Sequence, residues 1–288
     1  MHTPSQYQII KASGDQEDFS EEKLVRSLAG SGLTVDTASQ TLNYLKSHLR
    51  SGITTHDIFG QVSGYLRDNA PKENYFNYGL KRAIMKLGPS GHPFERLIGD
   101  LLERYGYETQ VSVTLGGECI THEIDVIAVK DNKTYFIECK YHNAPGTKSD
   151  VQVALYTYAR FLDIKKAMEA LFDKERIYQP WLIINTKLTY DALDYAKCMN
   201  IKSTTWSFPK EESLHSLIIN SGLHPVTVLD SIPENKLQSL LERDIVTCFR
   251  LNKAIESNSV NDILNPSEIN NIKEDIKVIC ETYGKHTG

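Results

Sequence analysis

Asp125, Glu138 and Lys140 are the residues of this sequence best suited to polar chemistry at a single point. They stand in His122–Lys140, which reads His-Glu-Ile-Asp-Val-Ile-Ala-Val, a polar turn at Asp131-Asn132-Lys133, and then Tyr-Phe-Ile-Glu-Cys-Lys. Both halves are apolar and rich in β-branched or aromatic residues, and turn residues separate them, so the segment reads as a β-hairpin. Period two then sends Glu138 and Lys140 to one face and Ile137 and Cys139 to the other, with Asp125 on the partner strand near Glu138. Burying two carboxylates and a lysine costs free energy unless something compensates. A divalent cation with hard oxygen ligands, Mg²⁺ above all, is one such compensation. A strand pair carrying solvated charges on an exposed face is the other reading the residues allow.

The arrangement Ile124-Asp125 followed by Glu138-Cys139-Lys140 resembles the PD-(D/E)xK nuclease superfamily, with Ile124 where the family usually has proline. The resemblance implies that Asp125 and Glu138 are metal ligands, joined by the Cys139 carbonyl, and that Lys140 is catalytic. Upstream, Phe94, Leu97, Ile98, Leu101, Leu102 and Tyr105 form an amphipathic stripe, with Pro93 in the first turn of the helix. Glu95 borders its buried side and needs a partner. The family often carries a glutamate here that joins or supports the metal site, and an ion pair with Arg96 is the plainer alternative. Downstream, Gln152 and Tyr156 are four apart on the helix expected from Ser149, beside a core stripe of Val151, Leu155, Tyr158 and Leu162. Gln-x-x-x-Tyr in this place resembles the signature of Mrr-like restriction endonucleases, in which it shapes the active site and its DNA contacts. His122 is either an added base or ligand, or a strand-edge histidine with a local hydrogen bond.

The elements around these residues alternate. Tyr107–Val113 reads as a strand, Gly116-Gly117 as a turn, Trp181–Asn185 as a buried strand, Thr189 as the start of a helix, and Ile201–Trp206 as another strand. The fold class that follows is α/β, a restriction-endonuclease-like core with a mixed sheet flanked by helices, spanning residues 92–222. Residues 223–288 form a helical carboxyl-terminal extension, with Leu237, Leu240 and Leu241 in one helical unit and Ile269, Ile272, Ile276 and Ile279 in the last. Such helices either grip a DNA backbone or serve packing and oligomerisation, and their acidic balance favours the second.

Residues 1–88 read as a mostly helical domain with a β start. Tyr7–Lys11 is a short strand, Gly14 serves a turn, Phe19 closes a second strand, and Ser20 caps a helix with Glu21 and Glu22 in its first turn. Thr55 is expected to cap the third helix, whose stripe is Ile58, Val62, Tyr65 and Leu66. Ile9-Ile10-Lys11-Ala12-Ser13-Gly14, then Glu17-Asp18-Phe19-Ser20 and Lys23-Leu24, resembles the ATP-cone at the front of ribonucleotide reductases. Ser51–Ile58 matches a later segment of that family. The resemblance implies bound ATP or dATP, with Lys11 and Lys23 at phosphates, Gly14 in the glycine turn, Thr55 at a helix start and Glu17 and Phe19 near base or sugar. Lysines and a helix N-terminus suit phosphate. Ala12 departs from the family, which usually has a basic residue there.

The 288 residues allow two domains and a tail, and 40% hydrophobic content supports real cores. No apolar run approaches the ~20 residues of a membrane span, and Met1–Lys11 lacks the pattern of a signal peptide. Five scattered cysteines without a CxxC pair argue for a reducing cytoplasm and against a structural zinc site. The formal net charge of -5 counts mildly against a nucleic-acid binder, although bound Mg²⁺ and a local basic groove can hold phosphate. Together these readings point to a Mg²⁺- or Mn²⁺-dependent endonuclease of restriction or defence type. It would act on double-stranded DNA and form a homo-oligomer under control of ATP or dATP. The alternatives are a nucleotide-responsive regulator or DNA-binding protein on a weakly active or inactive nuclease fold, and a nuclease for RNA or branched DNA.

Overall fold

The computed structural model describes residues 7–171 and 176–286, with backbone alone for 280–286. The segment before Tyr7 and the Cys280 thiol lie outside the described residues. Two compact units result, Met1–Arg82 with Ala144–Gly146, and Ala83–Asn143 with Thr147–Gly288.

The first unit runs β1 (Gln8–Ile10), β2 (Gln16–Asp18), α1 (Glu21–Gly30), α2 (Val35–His48), β3 (Ile53–Thr54), α3 (Thr55–Asn69) and α4, which begins at Lys72 in Lys72–Met85. β1 pairs antiparallel with β2 and parallel with β3. The β1–β2 turn closes because Gly14 takes φ +86°, which lets Lys11 N–H reach the Asp15 carbonyl at 2.8 Å. Ser20 caps α1 by accepting from Lys23 N–H. The cap of α3 is Thr54, one residue before the expected Thr55. Thr54 and Asp57 form a reciprocal capping box, which needs an acid or amide three positions on, and three positions after Thr55 stands Ile58, which cannot reciprocate. Ile9, Phe19, Leu24, Leu28, Leu45, Ile53, Val62 and Leu66 share one core.

The second unit continues with α5 (His92–Arg104), β4 (Glu108–Gly116), β5 (Thr121–Lys130), β6 (Lys133–Lys140), β7 (Lys148–Ser149), α6 (Val151–Leu171), β8 (Ile177–Ile184), β9 (Lys187–Leu188), α7 (Tyr190–Cys198) and β10 (Lys202–Thr204). The chain ends through α8 (Leu214–Ser221), α9 (Glu234–Glu242), α10 (Cys248–Glu256) and α11 (Pro266–His286). Five strands make a mixed sheet in the order β10-β8-β6-β5-β4. β4, β5 and β6 are antiparallel neighbours, while β6, β8 and β10 run parallel. The core α/β architecture expected from the sequence is therefore present. Phe136 packs with Phe161 and Ile164 of α6, and Leu182 and Ile184 pack with Ala154 of α6 and Ala192 of α7.

α6 is rotated relative to the expected stripe. Its buried residues are Ala154, Thr157, Phe161 and Ile164, whereas Leu155 and Leu162 are 44% and 46% exposed. Ala154 and Thr157 are small enough to let the helix lie close to the sheet, so the wider leucines turn outward. α10 is tied to α5 through buried Asp100, which accepts from Arg250 Nε and Nη2, both at 2.5 Å, and from Thr247 Oγ1 at 3.3 Å. No helix among the described residues is long and apolar enough to cross a membrane.

Candidate active site

The site grows from an interruption in the sheet. β4 and β5 pair continuously from Glu108–Val129 to Gly116–Thr121, except that Ser112 and Asp125, which face each other in register, make no ladder pair. Ser112 takes φ +55°, a left-handed conformation that a serine adopts at a cost. Val111 leans on α5 beside Gly99, while Leu115 packs on the α6 side with Ile124. Residues four apart on a regular strand would share a face. The strand pair thus changes faces at Ser112 and Asp125, and the carboxylate of Asp125 stands at the pivot.

β6 supplies the second carboxylate. The β5–β6 pairing ends at Val126–Ile137, so Asp125 falls opposite Glu138. Beyond that point the Asp125 side chain replaces the ladder, accepting from Cys139 N–H at 2.7 Å. The N–H and C=O of one strand residue point the same way, so the Cys139 carbonyl is aimed to the Asp125 edge as well. The Cys139 side chain itself is buried, which pushes its thiol well above the ordinary range.

Glu95 enters from the first turn of α5. Ser112 Oγ donates to Glu95 Oε2 at 3.2 Å, and His92 Nδ1 lies 3.8 Å from the same oxygen. Arg96, the plainer partner, instead reaches Asp244 at 3.5 Å. Burial raises the pKa of Glu95, and the charge of Asp125 raises it further. Burial also raises Asp125, opposed by the Cys139 N–H, Arg160 and Lys140. A half-buried carboxylate whose ionisation a neighbouring carboxylate disfavours, as Asp125 does that of Glu95, is the electrostatic condition a divalent cation relieves.

Glu138 points to α6, where its Oε2 is buried, meets Arg160 Nη2 and takes no hydrogen bond. Arg160 also donates from Nη1 to the Glu123 carbonyl at 2.6 Å, and its guanidinium lies 4.9 Å from the centre of the Tyr156 ring. Tyr156 is 59% exposed, and Gln152, one turn earlier, is exposed too. Asp125 and Glu138 thus stand opposite each other on neighbouring inner strands, with Glu138 turned to Arg160 of α6 and Glu95, from α5, held by Ser112. Among the described residues the acidic side chains whose ligand atoms already lie within 4.8 Å of one another are Glu118, Cys119 and Asp163. That second group locks a turn: Asp163 accepts from His122 Nε2 at 2.7 Å and from Cys119 N–H at 2.8 Å. The His122 bond holds the Asp163 pKa down to about 2, against burial, which raises it. A Cβ at Gly117 would collide with Asp163, so only glycine fits. His122 is spent on this lock.

The expected nucleotide residues sit in the first unit. Glu17 Oε2 bridges Lys11 Nζ at 2.7 Å and Lys23 Nζ at 3.1 Å, and the Lys11 bond leads the causes that lower its pKa. Gly14 forms the turn between them. Phe19 is 8% exposed and packed in the core, so its ring is committed to packing. Thr55 is the first helical residue of α3, and the Asp57 carboxylate already supplies negative charge at that helix start.

Sequence reading missed Arg160 and Ser112. Arg160 continues the Gln152, Tyr156 spacing by four more residues, a helical signal that was there to be found. Ser112 carries no such signal, since glycine or asparagine would be the ordinary residue at positive φ.

Comparison with known proteins bears on the fold that carries these residues. Residues 88–204 match the restriction endonuclease family model, and residues 224–280 match the model described as AF1548-like, C-terminal. An uncharacterized protein of Archaeoglobus fulgidus is 41% identical over 148 residues, covering 51% of this chain and 79% of that protein. The crystal structure of the protein of unknown function AF1548 is 33% identical, with a TM-score of 0.50, over 69% of this chain and all (100%) of that one. The chain belongs to the AF1548-like family. As a member of that family it carries a restriction-endonuclease-like domain, whose sheet places Asp125 opposite Glu138. Neither matched family model extends over the residues before 88.

Proposed function

We propose that this chain is a Mg²⁺- or Mn²⁺-dependent endonuclease that hydrolyses phosphodiester bonds of double-stranded DNA. The observation that carries the reading is the Asp125–Glu138 pair at the interrupted end of β5 and β6, with Cys139 N–H on Asp125 and Lys140 one residue further. Asp125, Glu138 and the Cys139 carbonyl would hold the ion, with Glu95 beside them. When bound, the ion would polarise a phosphate and lower the pKa of a water. Lys140 has no ion pair of its own among the described residues, yet its charge acts on Asp125. It is suited to orient the attacking water and to offset charge growing on the phosphate. Exposed Gln152 and Tyr156 lie on the next helix, where they can position a strand. Displacement is direct, with no covalent enzyme intermediate.

The Lys11–Glu17–Lys23 cluster supports regulation by a nucleotide, ATP or dATP, through an ATP-cone-like first unit. Two partly exposed lysines share one carboxylate, so a phosphate would gain both cations if Glu17 yielded. Gating then requires that active and inactive assemblies bind the nucleotide unequally.

The test is cleavage of plasmid, linear and single-stranded DNA with Mg²⁺, with and without ATP and dATP, alongside light scattering. Glu138→Ala and Lys140→Ala should each lower cleavage at least about a thousandfold while the fold is retained. Undiminished cleavage by either purified variant overturns the nuclease reading. Activity and mass both indifferent to nucleotide overturn the regulatory one.

A further inference from the structure

We infer that Arg160 is an internal counter-ion of the acidic centre, seated on Glu138 where a divalent cation has to bind, so that the cation must displace it. The inference rests on the metal-dependent reading above. Arg160 and Glu138 have side chains only 10% and 14% exposed, and Nη2 of one meets Oε2 of the other. A guanidinium is always charged and presents a planar fork, so it can neutralise a carboxylate in a place water scarcely reaches. The fork is doubly fixed, because Nη1 holds the Glu123 carbonyl at 2.6 Å while the plane lies over Tyr156.

Space decides between sharing and exchange. The cavity that Glu138 and Arg160 line, with Ile124, Phe136, Thr157 and Phe161, measures about 10 Å³, and neither Asp125 nor Glu95 lines it. That is room for roughly one water. A Mg²⁺ or Mn²⁺ ion keeps an octahedral shell with ligands at about 2.0–2.1 Å and retains several waters. It does not fit inside this cavity, so to share an ion with Asp125 the Glu138 carboxylate has to turn out of it, which breaks the contact with Arg160. Arg160 therefore has to leave Glu138 before that carboxylate can turn to the ion, and its stacking on the 59% exposed Tyr156 ring offers a seat that does not require Glu138. Asp125 is not blocked in this way, since its oxygen is held by a backbone N–H that a cation does not need to remove.

A purely structural ion pair and an exchanging one differ in the sign of one measurement. If Arg160 only props the site, removing it loosens the ligands and weakens metal binding. If it competes, removing it tightens binding. The experiment titrates the full chain with Mn²⁺ and reads free ion by electron paramagnetic resonance, without DNA and without turnover. Arg160→Gln should bind Mn²⁺ about tenfold more tightly than the unaltered chain, a gain of about 1.4 kcal/mol. Arg160→Lys, which keeps charge but loses the fork, should fall between and covers the case in which the glutamine variant does not fold. Glu138→Gln should lose the binding that the arginine controls.

Arg160→Lys and Arg160→Gln binding no tighter than the unaltered chain, with Glu138→Gln still defective, overturns the role of Arg160 alone. Mn²⁺ uptake that is absent throughout, or untouched by Glu138→Gln, overturns the metal centre itself and this inference with it.

Discussion

The acidic centre of the second unit and the lysine cluster of the first are mirror images in charge. At the sheet, Glu95, Glu123, Asp125 and Glu138 interact with two cations, Arg160 and Lys140. In the first unit, Lys11 and Lys23 interact with one carboxylate, Glu17. An excess of buried acid calls for a cation, and an excess of base for an anion. The two also differ in burial. Lys11 and Lys23 are 42% and 66% exposed, so water screens them and their pair energies are small. Asp125 and Glu95 are held where burial leads every other cause of their raised pKa. The lesson is that one site stores electrostatic tension in the fold, while the other is merely poised on the surface.

The sharpest break in that comparison is a crossed pair of variants. Asp125→Ala should abolish Mn²⁺ binding at the sheet and leave nucleotide binding unchanged. Lys11→Ala and Lys23→Ala should each weaken ATP or dATP binding about tenfold, near 1.4 kcal/mol, with Mn²⁺ binding intact. Calorimetry with each ligand reads both, and a variant that loses both ligands equally would mean that the two clusters are not independent sites.

A pH series tests the stored tension. The folded pKa values of Asp125 and Glu95 are raised, so the folded chain holds protons that the unfolded chain has released. Their contribution therefore falls as pH rises from about 4, the ordinary carboxylate value, through the raised folded values. Glu17 and Asp163 are lowered and act in the opposite sense, gaining stability as pH rises below that value. Thermal unfolding with chelator should show a loss above about pH 4 that Glu95→Gln reduces and Mg²⁺ removes. A profile unaffected by either would show that these acids carry no tension.

The smallest effect separates Thr54 from Thr55. Thr54→Ala should cost about 1 kcal/mol by removing the capping box, and Thr55→Ala less than about 0.5 kcal/mol, by denaturant unfolding. Equal losses would return the cap to Thr55.

Much of the fold could be read along the chain because its signals are local. The hairpin of β5 and β6 follows from alternation around Asp131-Asn132-Lys133, and the caps at Ser20 and Thr189 follow from side chains that reach only three residues on. The α6 stripe was misread because Val151, Leu155, Tyr158 and Leu162 also satisfy helical spacing, and only packing against the sheet chose Ala154, Thr157, Phe161 and Ile164. The ATP-cone resemblance puts Phe19 near base or sugar, whereas its ring packs in the core of the first unit.

By itself the sequence determined the chemical inventory and its local order: Glu95 on a helix, Asp125 and Glu138 on paired strands, Lys140 two beyond, and Gln152 and Tyr156 on the next helix. Spacing alone carries that information because helix and strand periods are fixed by backbone geometry. Only the tertiary structure decided that Asp125 stands at a pivot opposite Ser112 and that Arg160 sits on Glu138. Both depend on which segments meet across the sheet, and a left-handed serine or a buried guanidinium acquires its meaning from the neighbour it is pressed against.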